Sequence, residues 1–273
     1  MAKAKVKKEE ETPEEQAVTE SPVETPTETK SEPVRTVRCP VCDGGGGEYK
    51  KTDDLSICKC EDCGLLFQNP RPSLGYLAVQ RNNIFKNAMT GSHGGEIKEQ
   101  SHAALEVMKG YHKHTSGREA ALNSFGKNVL DVNCGLGFRL REFQKYGWDI
   151  NGIDTSRNAV EYAKASYLDV KEGWLDTAGF KGNMFELVLF WDNFGALPDP
   201  KQAVLKLSEI LKPRGLVFVH LREINENFDD RELFYFSPDA LRRLFMENGF
   251  TVLEEEKDET GYCFWIGRKT DAA

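Results

Sequence analysis

From Lys127 onward, apolar runs of strand length alternate with helical patterns, and this alternation constrains the fold more than any other feature of the sequence. The strand-like runs read "KNVLDV", "WDINGID", "DVKEG", "MFELVLFW", "GLVFVHL", "FTVLEEEK" and "GYCFWIGRK". The pattern predicts an α/β fold with a doubly wound, mostly parallel seven-stranded sheet and helices on both faces. Because no helical pattern separates the last two runs, they predict a hairpin that places one antiparallel strand in the sheet.

Five of the seven cysteines lie close together near the start of the chain. Two Cys-x-x-Cys pairs, Cys39/Cys42 and Cys60/Cys63, are separated by 17 residues. Four thiolates at this spacing predict a closed tetrahedral zinc site in a small ribbon, and iron in a rubredoxin-like site is the alternative. Cys58 either points away from the metal or replaces Cys60, and the even pairing favours Cys60.

The chain therefore divides into four predicted parts. Residues 1–35 lack aromatic residues and are rich in charge, threonine and proline, so they form a disordered tail. The zinc ribbon follows at 36–72, a helical linker region at 73–126 and the α/β domain at 127–273. The tail and the ribbon are the places where a protein partner would bind.

Charge and hydropathy exclude some classes of protein. A formal net charge of −8 argues against a general nucleic-acid binder, which would carry a basic face. The sequence has no apolar run long enough for a membrane span and no apolar signal segment. We therefore expect a cytoplasmic protein whose cysteines are reduced thiols.

The stretch "VLDVNCGLG" places a turn with two glycines, Gly135 and Gly137, directly after a predicted buried strand. Ligands of such sheets bind beyond the carboxyl ends of the strands, and Asp154 ends the next strand along the chain. A dinucleotide site needs a third glycine where this chain has Leu140, and Asp131 would repel a pyrophosphate. A carboxylate before the turn suits a cationic ligand such as S-adenosylmethionine better than a dinucleotide, so we rank an oxidoreductase far below.

On these residues the sequence resembles the class I S-adenosylmethionine-dependent methyltransferases over roughly residues 127 to 268. The stretches "GIDTSRNAVEYAKA" and "FSPDALRRLFMENGFTVLEEE" also look like parts of that family. The segment "CEDCGLLFQNPRP" before such a domain is similar to a bacterial subgroup with an N-terminal zinc-binding module. Members of that subgroup often act on sugars, surface polysaccharides or other small metabolites.

The resemblance implies a cofactor site at the carboxyl ends of the strands. In that site Asp154 would bind the ribose, and Trp174 with Leu175 would lie against the adenine. The implied cofactor-binding residues are Asp131, Asn133, Gly135, Gly137, Asp154, Thr155, Trp174, Leu175 and Trp191.

Two positions depart from the family pattern. Asn133 replaces the first motif glycine, and asparagine tolerates the left-handed backbone that such a turn requires. Gly195 and Ala196 stand where related sequences often have Glu-His, so the family's imidazole is missing. The predicted catalytic residues are therefore His220, as the base, and Asp192, both at the ends of predicted strands.

Two functional hypotheses follow. The first is a methyltransferase that transfers a methyl group from S-adenosylmethionine to a small-molecule or carbohydrate-like acceptor. The second is a catalytically inactive binding module of the same fold within a biosynthetic complex, and Asn133, Gly195 and Ala196 support it. The intact Asp131, Gly135, Gly137 and Asp154 favour the first.

Overall fold

The structure, a computed structural model, describes residues 37–52, 55–116, 126–222, 228, 231–257 and 262–270. The predicted tail at 1–35 lies outside these ranges. Within them, no helix has the length and apolar character needed to cross a membrane.

A small antiparallel sheet forms the N-terminal part of the described chain. With strands numbered along the chain, it consists of β1 (Gly46–Lys51), β2 (Ser56–Cys60), β3 (Leu66–Gln68) and β9 (Phe234–Tyr235), in that order across the sheet. The first three strands lie within residues 36–72, and we call this three-stranded unit the ribbon. The fourth strand comes from the far end of the sequence, so the ribbon is joined to the α/β domain by backbone pairing.

Seven strands form the main sheet: β4 (Asn128–Val132), β5 (Asp149–Asp154), β6 (Val170–Glu172), β7 (Phe185–Trp191), β8 (Leu211–Arg222), β10 (Phe250–Lys257) and β11 (Tyr262–Lys269). Their order is β10-β11-β8-β7-β4-β5-β6. β11 is antiparallel to both of its neighbours, and the other pairs are parallel. The predicted seven-stranded, mostly parallel sheet and its closing hairpin are confirmed.

Within the described ranges, six α-helices accompany the sheets: α1 (Leu74–Ile84), α2 (Gly94–Ser116), α3 (Phe138–Lys145), α4 (Arg157–Ala165), α5 (Pro200–Ile210) and α6 (Pro238–Met246). The first two occupy the linker region, as the helical spacing there predicts. Ser73 begins α1, because its side chain accepts a hydrogen bond from the backbone N–H of Tyr76.

The central strands are buried on both faces, and their side chains alternate between two hydrophobic clusters. Leu130, Val188 and Phe190 belong to the cluster that also contains residues of α5 and α6. Val129 and Leu187 belong to the cluster formed with α2. This burial on both sides explains why these strands read as nearly continuous apolar runs.

The ribbon shares its core with the α/β domain. Leu65 and Phe67, both almost completely buried, belong to the same hydrophobic cluster as Phe190. The backbone N–H of Gln68 donates to the carbonyl of Leu233 at 2.9 Å. The ribbon is therefore packed against the segment between β8 and α6, close to the carboxyl ends of the parallel strands.

Candidate functional site

The turn after β4 has the backbone conformation that a glycine-rich ligand turn requires. Asn133, Gly135 and Gly137 all have left-handed backbones, with φ values of 53°, 57° and 79°. A side chain at Gly137 would come within 2.5 Å of a methyl carbon of Leu168 and would also have to adopt a φ of 79°, so glycine is strongly favoured there. Asn133 adopts the conformation that the missing glycine would have, and the turn is intact.

Asp154, at the end of β5, is completely buried and joins this turn to the next one. Its Oδ2 accepts from the backbone N–H of Gly135 at 2.8 Å, and its Oδ1 accepts from the N–H of Ser156 at 2.8 Å. The guanidinium of Arg81, in α1, donates to both oxygens, at 3.2 Å to Oδ1 and 2.7 Å to Oδ2. The carboxylate that the sequence assigns to a ribose is thus bound by an arginine.

Asp131, in β4, is also completely buried and also paired with an arginine. The Nε and Nη2 atoms of Arg139, in α3, lie 2.9 and 3.1 Å from its two carboxylate oxygens. The same guanidinium donates to the side chain of Gln100 in α2. One buried ion pair, Arg81–Asp154, is thus bonded to the glycine turn, and the other, Asp131–Arg139, joins the strand before the turn to the helix after it.

The pKa values of the buried groups beside the turn fit this arrangement. Burial raises the pKa of the Asp131 carboxyl, and the charge of Arg139 opposes that shift. Burial, together with the charges of Asp131 and Asp154, raises the pKa of the Cys134 thiol well above its ordinary value. Cys134 is therefore a neutral packing residue and not an activated nucleophile.

Asp192 and His220 meet where β7 and β8 end side by side. The imidazole Nδ1 lies 2.6 Å from the Asp192 carboxylate, and the Trp191 ring stacks on the imidazole with ring centres 4.0 Å apart. The His220 side chain is 6% exposed, whereas that of Asp192 is 36% exposed. Asp192 also has a left-handed backbone, with φ 57°, which is uncommon outside glycine. The carboxylate thus faces outward and the histidine supports it from within.

A cavity of about 180 Å³ opens between the glycine turn and this pair. Its walls include Arg81, Asn133, Gly135, Arg139, Trp191 and Asp192. Asn193 also lines it, and its Nδ2 donates to the carbonyls of Val132 and Asn133 at 2.8 and 3.3 Å. Its buried Oδ1 has no hydrogen-bond partner among the described residues.

The cavity brings together only some of the residues predicted from the sequence. Asn133, Gly135, Trp191 and Asp192 line it, whereas Asp131 and Asp154 lie behind arginines. Leu175 is buried in the core, and Trp174 packs against the same core. Gly137, Thr155 and His220 are not among the residues that form its described walls.

The sequence reasoning missed the two arginines of the site. Arg139 stands between the buried Phe138 and Leu140, and a cation on the inward side of a helix needs a carboxylate nearby. That signal was available for Arg139. Nothing local in the sequence distinguishes Arg81, which is 73 residues from its partner.

The structure explains why position 195 is a glycine rather than the glutamate that related sequences often have. It lies in a short 3-10 turn, Phe194–Ala196, and its carbonyl accepts from the N–H of Leu233 at 2.8 Å. A side chain on Gly195 would come within 2.4 Å of the carbonyl oxygen of Phe234. A glutamate cannot be placed at position 195, because strand β9, which pairs with the ribbon, lies directly against the backbone of Gly195.

We expect Gly195→Ala to lower the free energy of unfolding by about 1–3 kcal/mol, because β9 must move to make room for the methyl group. Urea denaturation followed by circular dichroism measures this change. Gly182→Ala is the matched control, since its nearest neighbour would be 3.6 Å away in ordinary contact. Equal stability of the two variants would show that β9 does not pack on Gly195 in solution.

The four cysteines predicted as metal ligands converge at the base of the ribbon. The sulfur atoms of Cys39, Cys42, Cys60 and Cys63 all lie within 4.8 Å of one another. The Cys39–Cys63 and Cys42–Cys60 sulfurs are 3.5 and 3.4 Å apart. Tetrahedral zinc with Zn–S distances of about 2.3 Å would place its ligands about 3.8 Å apart, so the four thiols fit such an ion.

The fold and the glycine turn, with an acidic residue ending the next strand, define a nucleoside-cofactor domain of the class I methyltransferase type. The family profile described as "Methyltransferase domain" matches residues 111–255, more than half of the chain. The chain belongs to this methyltransferase-domain family.

Two curated relatives are ubiquinone biosynthesis O-methyltransferases. The one from Salmonella typhi is 27% identical over 158 residues, which cover 54% of this chain and 63% of the relative. The one from Vibrio vulnificus is 29% identical over 101 residues, which cover 34% of this chain and 43% of the relative. The chain thus matches less than two thirds of the length of these relatives.

Solved structures share the fold at low sequence identity. The YcgJ protein from Bacillus subtilis superposes with a TM-score of 0.52 at 14% identity, covering 63% of this chain and all of that chain. The cyclase SpnF gives a TM-score of 0.51 at 18% identity, covering 63% of this chain and 82% of that one. Since one fold carries different chemistries, these likenesses concern the fold alone.

Proposed function

We propose that this protein is an S-adenosylmethionine-dependent methyltransferase that acts on a hydroxyl group of a small-molecule acceptor. One observation carries the proposal: the region matched by the family profile contains an intact glycine turn whose Gly135 N–H is bonded to Asp154. The names of the curated relatives support O-methylation. A catalytically inactive module, the second hypothesis from the sequence, is not favoured by relatives that are named as enzymes.

The residue types around the cavity fit the cofactor, although one carboxylate is occupied by Arg81. Asp154 would bind ribose hydroxyls only after Arg81 releases its oxygens, and the glycine turn allows close approach of a ligand. When bound, S-adenosylmethionine supplies an activated methyl group. The chain itself must orient the acceptor and remove its proton.

Asp192 is the proposed base, with His220 as its positioning residue. A hydroxyl acceptor must lose a proton of high pKa during methyl transfer, so a base beside the cavity is useful. Asp192 lines the cavity, whereas His220 lies beneath Trp191 and holds the carboxylate at 2.6 Å. The sequence predicts both residues as catalytic with His220 as the base, whereas this proposal assigns the base to Asp192.

Calorimetric titration with S-adenosylmethionine and S-adenosylhomocysteine tests the first step. We expect dissociation constants on the order of micromolar, within the range common for enzyme substrates. Release of S-adenosylhomocysteine is then measured against a panel of catechols, phenols and nucleotide sugars. Cofactor binding without turnover on any acceptor would support the inactive module, and absence of cofactor binding would refute the proposal.

Asp192→Asn separates the base from the binding residues. We expect it to bind the cofactor normally and to lower kcat on a responsive acceptor by at least about a hundredfold. Turnover at the wild-type rate would exclude Asp192 as the base.

We also propose that the four cysteines hold one structural zinc ion. A closed site of four thiolates leaves no position for a substrate, so the metal would stabilise the ribbon rather than take part in methyl transfer. The ribbon's pairing with β9 places it beside the segment that follows β8. The ribbon and the tail remain the predicted places for a protein partner.

A further inference from the structure

The end of α1 and the residue after it lie over the carboxyl edge of the main sheet. We call Arg81, Asn82 and Phe85 the α1 plug. Arg81 donates to both oxygens of Asp154, and its Nη2 also donates to the carbonyl of Asn133 at 3.0 Å. The plug is thus bonded to both turns that a cofactor of this family type would contact.

Asn82 fastens the plug to the turn after β5. Its side-chain oxygen accepts from the hydroxyl of Ser156 at 3.2 Å and from the N–H of Asn158 at 3.0 Å. Its backbone carbonyl accepts from the side-chain Nδ2 of Asn158 at 3.2 Å. These contacts hold the end of α1 against α4 independently of the Arg81 ion pair.

Phe85 covers the glycine turn from above. Its ring comes within 3.2 Å of the place where a side chain of Gly135 would begin. The guanidinium of Arg81 lies over the same ring, 5.0 Å from its centre. The space next to Gly135 that a ligand would use is therefore partly filled by the chain itself.

In this conformation, Asp154 has no capacity left for ribose hydroxyls. A carboxylate offers about four lone-pair positions. Asp154 already accepts from two N–H groups of Arg81 and from the backbone N–H groups of Gly135 and Ser156. The cavity of about 180 Å³ is also smaller than the roughly 300–1,000 Å³ of typical ligand sites.

Arg81 and Arg139 differ in how easily each could move away from the carboxylate that it binds. The Arg139 side chain is 6% exposed, so its departure would carry a charge out of a sealed interior. The Arg81 side chain is 26% exposed, so it lies nearer the surface than that of Arg139. When Arg81 leaves, Asp154 still keeps its two backbone N–H donors. Arg81 is therefore the movable partner and Arg139 the fixed one.

We infer that the α1 plug is an internal competitor of the cofactor, and that Arg81 must leave Asp154 before the ribose can bind there. The inference rests on the proposed function. The plug lowers the apparent affinity for the cofactor by the fraction of molecules in which it is open. Any partner or acceptor that draws α1 away from Ser156 and Asn158 would raise cofactor affinity.

The test is calorimetric titration with S-adenosylhomocysteine, which binds without chemistry. We expect Arg81→Gln to bind it about 5- to 100-fold more tightly than the wild type, the range of common coupling free energies. Arg157→Gln is the matched control, because Arg157 is an exposed arginine at the start of α4 whose partner is Glu161. Its affinity should equal that of the wild type.

A second variant guards against misfolding around Asp154. Asn82→Ala leaves the Arg81–Asp154 pair intact and removes only the fastening to Ser156 and Asn158, and we expect it also to tighten binding. Equal or weaker affinity in both folded variants would overturn the plug while leaving the methyltransferase proposal standing. Failure of the wild type and all variants to bind would instead refute the proposed function, and the plug with it.

Discussion

Replacing Arg139 with alanine will lower the free energy of unfolding by about 3–5 kcal/mol, because it leaves the carboxylate of Asp131 buried and without its counter-charge. Asp131 is completely buried, and Arg139 donates to both of its oxygens. Urea denaturation at neutral pH measures the loss. Arg157→Ala provides the contrast, since its ion pair with Glu161 has a similar distance of 2.8 Å but is exposed. Because both side chains of that pair are exposed to solvent, its loss should change the free energy of unfolding little.

The loss in Arg139→Ala should also depend on pH. Burial raises the pKa of Asp131 above the ordinary value of 3.8, and the Arg139→Ala change removes the largest opposing charge, while that of Arg81 remains. A raised folded-state pKa means that the folded variant binds a proton more tightly than the unfolded chain does. The contribution of Asp131 to the variant's stability is therefore greatest at low pH and falls as pH rises through the raised pKa.

Denaturation of wild type and variant at about pH 5 and about pH 8 tests this sign, and the difference between them should be larger at the higher pH. A difference that is equal at both values would mean that Asp131 stays charged in the variant. In that case another cation or water reaches it, and the pair with Arg139 is not its main stabilisation.

The main sheet could be predicted from the sequence because its evidence is local. Buried parallel strands produce apolar runs such as "MFELVLFW", and the amphipathic segments between them form the helices that cover both faces. The hairpin of β10 and β11 followed from the absence of a helix between two runs. The left-handed backbone of Asn133 followed from the known tolerance of asparagine for that conformation.

The closed state of the site could not be predicted, because it depends on contacts between distant parts of the chain. Arg81 and Asp154 are 73 residues apart, and α1 has no sequence pattern that directs it to the end of β5. The side chain of Gln68 donates to the carbonyl of Glu232, 164 residues away. The same holds for Gly195. In the sequence this glycine indicates the loss of a catalytic residue, whereas in the structure it is required because the distant Phe234 carbonyl leaves no room for a side chain.

The ribbon pairs with β9, and the residue before β9 is bonded to Gly195. Loss of the metal should therefore destabilise this part of the α/β domain as well as the cysteine cluster. We expect Cys60→Ser to purify without the stoichiometric zinc of the wild type, measured by plasma mass spectrometry, which also distinguishes zinc from iron. The binding free energy of a structural zinc is on the order of 10 kcal/mol at neutral pH, so its loss should unfold the ribbon. A marked fall in Tm should accompany it.

Cys58→Ser is the matched control, because Cys58 lies two residues away in the same strand, is buried, and is outside the cluster of four sulfurs. It should keep its zinc. Hydrogen exchange then shows how far the damage spreads: the amide of Gln68, which donates to Leu233, should exchange faster in Cys60→Ser and remain protected in Cys58→Ser. If Cys58→Ser loses the metal and Cys60→Ser retains it, Cys58 is the fourth ligand and the register of β2 differs from the one described.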